Sequence, residues 1–321
     1  MATFTLTHRT ATPSRSAVVG TAALVAVVCL WSSFALSTRA LEGAGLTVAD
    51  AAIVRFAVPA VVLSPWIPRT LRALRGERAG ILALVLLAGL PHFLLFAWGA
   101  HLTSAALTGL LVPGTVPLFV AGLVFLRHRR TPTRARMCAL AAIVAGVAAS
   151  ALFTGGPAGP AGIAVLLAAG FVWAAYTLGL ARTRLDPVGV IAIVSLTSVI
   201  AALALAVSGA MPSHLLAGQV DPATWGAYAL VQGVGTGLLS TACYVVAVKN
   251  LGGSIPAAAG ALSPVLTAVV AVPLLGEPLS AGLTVALALI VAGVAAFALA
   301  PDRAPLARVT ASDSSPAPKI L

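Results

Sequence analysis

Charge in this chain is confined to short clusters, and the stretches between them stay apolar for about the 20 residues that a helix needs to cross a bilayer. Only 8% of the 321 residues are charged and 60% are hydrophobic, with a mean hydropathy of +1.06. A soluble domain carries about 25% charged residues, so a water-soluble globule of this size is excluded. Disordered, collagenous and coiled-coil chains are excluded too, since each needs a polar or strictly periodic sequence. The apolar runs are 17–36, 48–67, 79–99, 103–126, 136–153, 161–181, 188–208, 223–248, 254–275 and 280–299, which predicts ten membrane-spanning helices. The first run exceeds the roughly 7–15 apolar residues of a signal peptide and reads as a span. Prolines and glycines inside the runs do not forbid helices, because neighbouring helices satisfy the freed backbone groups.

The formal net charge is +11, a value that elsewhere suggests nucleic acid. Here the basic residues lie between apolar runs, as membrane topology demands, and nucleic acid is rejected as a partner. With the N-terminus in the cytoplasm, 17 of the 19 Lys and Arg residues fall on the cytoplasmic side. Arg39 alone lies in an outside loop and Arg55 within the second span. The positive-inside rule thus predicts cytoplasmic N- and C-termini and an even number of spans. The polar tails 1–16 and 300–321 are expected to be disordered and cytoplasmic. Cys29, Cys138 and Cys243 fall inside apolar runs and read as small buried hydrophobes.

The chain also repeats itself. Residues 139–152, ALAAIVAGVAASAL, match 286–299, ALALIVAGVAAFAL, at 12 of 14 positions. Gly109, Leu111 and Pro113 match Gly260, Leu262 and Pro264 in the same order, and Trp31 and Phe34 correspond more weakly to Trp173 and Tyr176. Two five-helix repeats follow, 17–153 and 161–299, joined by an external linker at 154–160. Five crossings are odd, so the second repeat enters the membrane from the opposite face. An all-α integral membrane fold of ten helices in two inverted repeats is the expected architecture, one that suits alternating access.

LWSSF in span one, the arginine of RFAVPA in span two, and ALSPVLTAVVAVPLLGEPLS followed by IVAGV in the last two spans resemble the drug/metabolite transporter superfamily, EamA type. The resemblance covers about residues 17–300, and its most specific piece is the span-nine motif with Glu277. The first half departs from it: the position equivalent to Glu277 falls at about Leu126, where a glutamate is usual. Within the superfamily the sequence resembles the bacterial amino-acid exporters, including those for aromatic amino acids. The resemblance implies an inner-membrane transporter, not an enzyme, moving a small molecule.

The residues themselves supply candidate contacts. Gln232, Thr236, Ser240 and Tyr244 recur every four residues and line one drifting face of span eight; they either line a cavity or serve as glue between helices. Trp31, Trp173 and Tyr176 sit deep in their spans, where an indole needs room and a partner. They either form aromatic walls for a substrate, with the two tryptophans facing each other across the repeat axis, or pack ordinarily. His92 follows Pro91 and either satisfies a freed carbonyl or contacts substrate or a proton. Thr108 and Ser263 adjoin Gly109, Pro113, Gly260 and Pro264, which read as matching helix interruptions and conformational hinges. Arg55 reads first as a structural charge, with a substrate counter-charge as the second reading; Glu277 is likewise a structural charge. No metal cluster, cofactor motif or obligate protein partner is indicated. The expected function is export of small metabolites, amino acids first and aromatic or apolar ones included, by uniport or weak proton linkage through a central cavity. Export of drugs or nucleobases is the first alternative; a membrane-embedded enzyme, which would need converging catalytic groups, and a channel rank below it.

Overall fold

The computed structural model describes residues 15–129, 131–153, 159–251 and 254–301. The expected disordered tails, save residues 15–16 and 300–301, and residues 154–158 of the expected linker lie outside the described residues.

Among the described residues the fold is all helix. α1 (Arg15–Arg39) leads into α2 (Val48–Val62), which bends by 62° into α3 (Ile67–Leu74). α4 (Ala79–Leu86) and α5 (Leu90–Leu102) form the next crossing, followed by α6 (Ala105–His128) and α7 (Arg134–Phe153). The second half comprises α8 (Gly159–Leu180), α9 (Pro187–Val207), α10 (Pro222–Tyr228), a π-helical segment (Ala229–Leu239), α11 (Ser240–Leu251), α12 (Ser254–Gly260), α13 (Ser263–Leu275) and α14 (Ala281–Leu299). Eight continuous stretches are long and apolar enough to cross a membrane, and the bent α2–α3 pair makes nine. The protein is therefore a multi-pass membrane protein. The run expected at 254–275 is instead the pair of short helices α12 and α13.

Local chemistry explains the ends and bends. Thr47 and Asp50 form a reciprocal capping box at the start of α2, at 2.8 and 3.1 Å. Pro65 and Pro68 cannot continue α2, so the chain turns after Leu63. The break before α5 is closed from outside: the Leu90 N–H donates to Ser198 Oγ of α9 at 3.0 Å. A Cβ on Gly89 would lie 2.0 Å from the same oxygen, so only glycine fits there. α13 begins at Ser263–Pro264, where Pro264 takes a first-turn position. The matching interruption expected at Gly109 and Pro113 is absent. α6 runs unbroken through Pro113 and Pro117, because Leu110, Leu111, Val112, Gly114 and Thr115 are buried around it and packing outweighs the lost backbone bonds.

The cysteines also differ from expectation. Cys29 and Cys138 are exposed and Cys243 is half-buried. On an apolar bundle an exposed thiol faces lipid, where a small hydrophobe is at no disadvantage.

Helix packing follows a reciprocal scheme. α1 lies along α11 and α8 along α5; α1 also meets α13 and α8 meets α6; α2 packs on α9, α6 on α13, and α7 on α14. The α7–α14 contact is antiparallel, with Arg136 Nη2 near the start of α7 donating to the Ala300 carbonyl after α14 at 3.2 Å. Its contacts exchange: a Cβ on Gly146 would lie 2.5 Å from Ile290 and 3.1 Å from the Ala286 carbonyl, and a Cβ on Gly293 would lie 2.7 Å from Ile143 and 2.8 Å from the Ala139 carbonyl.

The two ends of the bundle are tied differently. At the arginine-rich end, Glu77 accepts from Thr183 Oγ1 at 2.7 Å and from the Arg184 N–H at 2.8 Å, joining the α3–α4 loop to the α8–α9 loop. Arg69 lies 3.4 Å from Asp186 beside it. At the other end, Asp50 accepts from Ser213 Oγ, and from the Leu215 N–H at 3.1 Å. Glu42 and His101 Nδ1 meet there at 2.7 Å.

Replacing Gly146 or Gly293 by valine should destabilise the protein by about 1–3 kcal/mol, and by similar amounts at the two sites, because each forces the same backbones apart. Thermal unfolding of the purified variants checks this; a neutral effect at either glycine contradicts the close approach. The hydrogen bond from Thr183, and then that from Arg184, hold the Glu77 carboxyl below its ordinary range. The loop tie is thus fully formed above the ordinary glutamate value of about 4.3 and is lost as pH falls through the lower folded-state value. Glu77→Gln should remove this acid-side part of the pH dependence of unfolding, measured from pH about 6 to 3.

Candidate functional site

The strongest polar arrangement at membrane depth is built around Arg55 of α2. Its Nη1 donates to Gln232 Oε1 at 3.0 Å and to Thr236 Oγ1 at 2.6 Å, both on the π-helical segment. Gln232 Nε2 in turn donates to Ser37 Oγ at 2.7 Å and Thr38 Oγ1 at 3.0 Å on α1. One amide therefore ties three segments through both its ends. The guanidinium lies over the Phe34 ring, 4.2 Å from its centroid, a cation–π placement.

Glycines allow this closeness. A Cβ on Gly233 would lie 2.6 Å from Val58, and one on Gly237 would lie 3.3 Å from Pro59 and 3.5 Å from the Arg55 carbonyl. The π-helical turn widens the segment by one residue per hydrogen bond, a geometry associated with functional sites. It also keeps a four-residue stripe in line better than an α-helix would, so Gln232, Thr236 and Ser240 are all buried and Tyr244 half-buried.

The expected aromatic residues form two separate groups. Trp31 stacks on Tyr244 with centroids 5.8 Å apart, above Gly260, whose absent Cβ leaves room for the indole. Trp173 packs on His92 at 4.8 Å and on Tyr176 at 5.3 Å. The two tryptophans were expected to face each other; among the described residues no ring contact joins them, because each is taken by a partner from the opposite half. His92 is buried, and its Nε2 has no hydrogen-bond partner among the described residues. Phe34 connects the sets: it stacks on Phe96 at 4.3 Å, and Phe96 meets His92 at 5.9 Å.

Thr108 and Ser263 join neither group. The Thr108 hydroxyl donates to the Ser104 carbonyl at 2.8 Å, and Ser263 gives its carbonyl to Thr267 Oγ1 at 2.9 Å. Ser240 Oγ likewise donates within its own helix, to the Thr236 carbonyl at 2.6 Å. Thr267 reaches Ser32 Oγ at 3.0 Å and sits where a Cβ on Gly109 would press it, at 3.1 Å.

Glu277 closes one end. Its carboxylate accepts from the Ala105 N–H at 2.9 and 3.1 Å, capping α6, and lies 3.3 Å from Arg39 Nε at the end of α1. A cavity of about 450 Å³ opens beside this ion pair, lined by Arg39, Ala40, Gly43, Ala44, Tyr228, Leu275 and Glu277. None of the residues named from the sequence as substrate contacts lines it.

Sequence reasoning missed Ser37, Thr38, Phe34 and Phe96. A signal existed for the first two: a lone amide in an apolar run must have polar neighbours.

Residues 160–299 match the EamA-like transporter family. A solved crystal structure of a protein resembles the chain with a TM-score of 0.51 and 20% sequence identity, over 89% of this chain and 96% of the other. At that identity the likeness establishes the fold alone. The sequence matches no curated protein.

Gln232→Leu should cost about 1–3 kcal/mol, since it strands a donor on Arg55 and the acceptor oxygens of Ser37 and Thr38 together. In a thermal-unfolding cycle with Arg55→Met the two losses should not add. Additive losses would show that the amide and the guanidinium are energetically independent.

Proposed function

We propose that this chain, with its EamA-like transporter domain over residues 160–299, is an inner-membrane exporter of small metabolites. Amino acids, including those with aromatic and apolar side chains, are its main cargo. Two inverted five-helix halves, 17–153 and 161–299, rock about a shared centre and expose it to each face in turn.

The observation that carries this reading is the exchanged contact between α7 and α14. Gly146 meets Ile290 as Gly293 meets Ile143, and these are equivalent positions of the internal repeat. An antiparallel pair that exchanges contacts in this way is related by a local two-fold axis perpendicular to both helices, that is, in the membrane plane. The paired packing of α1 on α11 and α8 on α5 supports extending that axis to the whole chain. It also supports ten crossings, with α12–α13 as the counterpart of α6.

Cargo chemistry follows from the walls. Trp31 on Tyr244 and Trp173 on His92 each pair a ring of one half with a ring of the other, and Phe34 and Tyr176 adjoin them. Aromatic walls with a few polar groups favour a small molecule with an apolar part. Flux runs by uniport or with a weak proton link through His92, whose ring nitrogen is free to bind substrate or a proton. Lys and Arg concentrated at one end support cytoplasmic termini. The Pro264 break between α12 and α13 is the bending point on one side; Gly109, in close contact with Thr267, is the sliding point on the other.

The test is counterflow of radiolabelled amino acids into vesicles holding the purified protein. Trp173→Ala should lower exchange about tenfold, the loss of one good aromatic contact, while Trp98→Ala, on the exposed surface, should leave it unchanged. Equal exchange by both variants would remove Trp173 from the path. Exchange of nucleobases or cationic drugs in place of amino acids would favour the other exporter reading.

A further inference from the structure

The Arg55 guanidinium is served on one edge only. Of its five N–H donors, two from Nη1 go to Gln232 and Thr236. Nε and Nη2 make no hydrogen bond among the described residues, and no carboxylate pairs with this cation there. Asp50, its nearest acidic neighbour in sequence, is occupied by Thr47, Ser213, His214 and Leu215. A permanent charge at membrane depth without a counter-ion is a costly arrangement that marks a functional position. Arg55 as a residue is half-buried.

The free edge is also held in place. Phe34 covers the guanidinium face, and Gln232, fixed by Ser37 and Thr38, holds the Nη1 corner. A purely structural arginine would direct its fork at carbonyls or a carboxylate. Here the fork of Nε and Nη2, whose spacing matches the two oxygens of a carboxylate, is left unused. An apolar row leads away from it: Phe34, then Phe96, His92 and Trp173, each in ring contact with the next.

We propose that the Nε/Nη2 edge of Arg55 receives the carboxylate of the cargo, whose apolar part lies along the Phe34–Phe96–His92–Trp173 row. This rests on the transporter reading and deepens it, turning the cargo class from small metabolites into carboxylates with an apolar body. Arg55 is then both a scaffold residue, through Nη1, and a recognition residue, through its other edge.

Equilibrium binding of radiolabelled L-phenylalanine to the full chain in lipid nanodiscs tests this. The competitors are 3-phenylpropanoate, which keeps the carboxylate, and phenylalaninamide, which lacks it. The wild-type protein should prefer the acid by about 10- to 100-fold, the loss expected for one charge-assisted contact. Arg55→Gln should bind acid and amide equally weakly, and Arg55→Lys should keep part of the preference as a charge without a fork. A wild-type protein indifferent to acid and amide overturns the proposal without any mutation. So does an Arg55→Gln variant that keeps the preference, or displacement of the acid by an equal concentration of chloride. If the preference holds and vesicles show no counterflow, the assignment of Arg55 stands and the transport reading fails.

Discussion

The close approach of two backbones, α7 and α14, sets the frame of this protein. Lipid gives no hydrophobic drive for helices to associate, so contact depends on small residues that let main chains meet and larger ones fill the space opposite. Gly146 and Gly293 supply the space, and Ile290 and Ile143 fill it. Because these are equivalent positions of one repeated sequence, a single motif serves as both knob and hole. The same economy recurs where Gly233 admits Val58 and Gly99 admits Leu166. A chain with so few polar groups is held together largely by where its glycines fall.

Within that frame the polar residues are concentrated rather than scattered. Arg55, Gln232, Thr236, Ser37 and Thr38 form one connected network, and most other hydroxyls donate within their own helix. A lone hydroxyl can satisfy itself one turn back along the helix; an amide or a guanidinium cannot. The longer-reaching groups therefore determine which segments meet, and they bring α1, α2 and the π-helical segment to one place. The aromatic rings gather beside this network, each tryptophan paired with a ring from the other half.

Much of this was legible in the residues. Charge scarcity gave the membrane, and the 139–152 and 286–299 match already contained the glycine–isoleucine interlock as a one-dimensional pattern. The stripe from Gln232 to Tyr244 is legible as one helix face, and Gln232, Thr236 and Ser240 of it are buried while Tyr244 is half-buried. What could not be read was pairing. Nothing in the local sequence says that Gln232 meets Ser37 and Thr38, or that Trp31 chooses Tyr244 over Trp173, since those choices depend on how distant helices cross. Proline was legible at one of its two sites: Pro264 stands at the break between α12 and α13, whereas Pro113 does not interrupt α6, whose flanking residues are buried. Thiol exposure escaped for the same cause, since an apolar run does not say which face meets lipid.

Alternating access requires the two halves to tilt against each other as rigid bodies. The most direct measurement is a pair of spin-label distances on the purified protein, one between residues 43 and 279 at the Glu277 end and one between residues 76 and 249 at the Glu77 end. Added cargo should lengthen one distance and shorten the other. Two single distances that do not change on adding cargo would contradict a moving pair of halves.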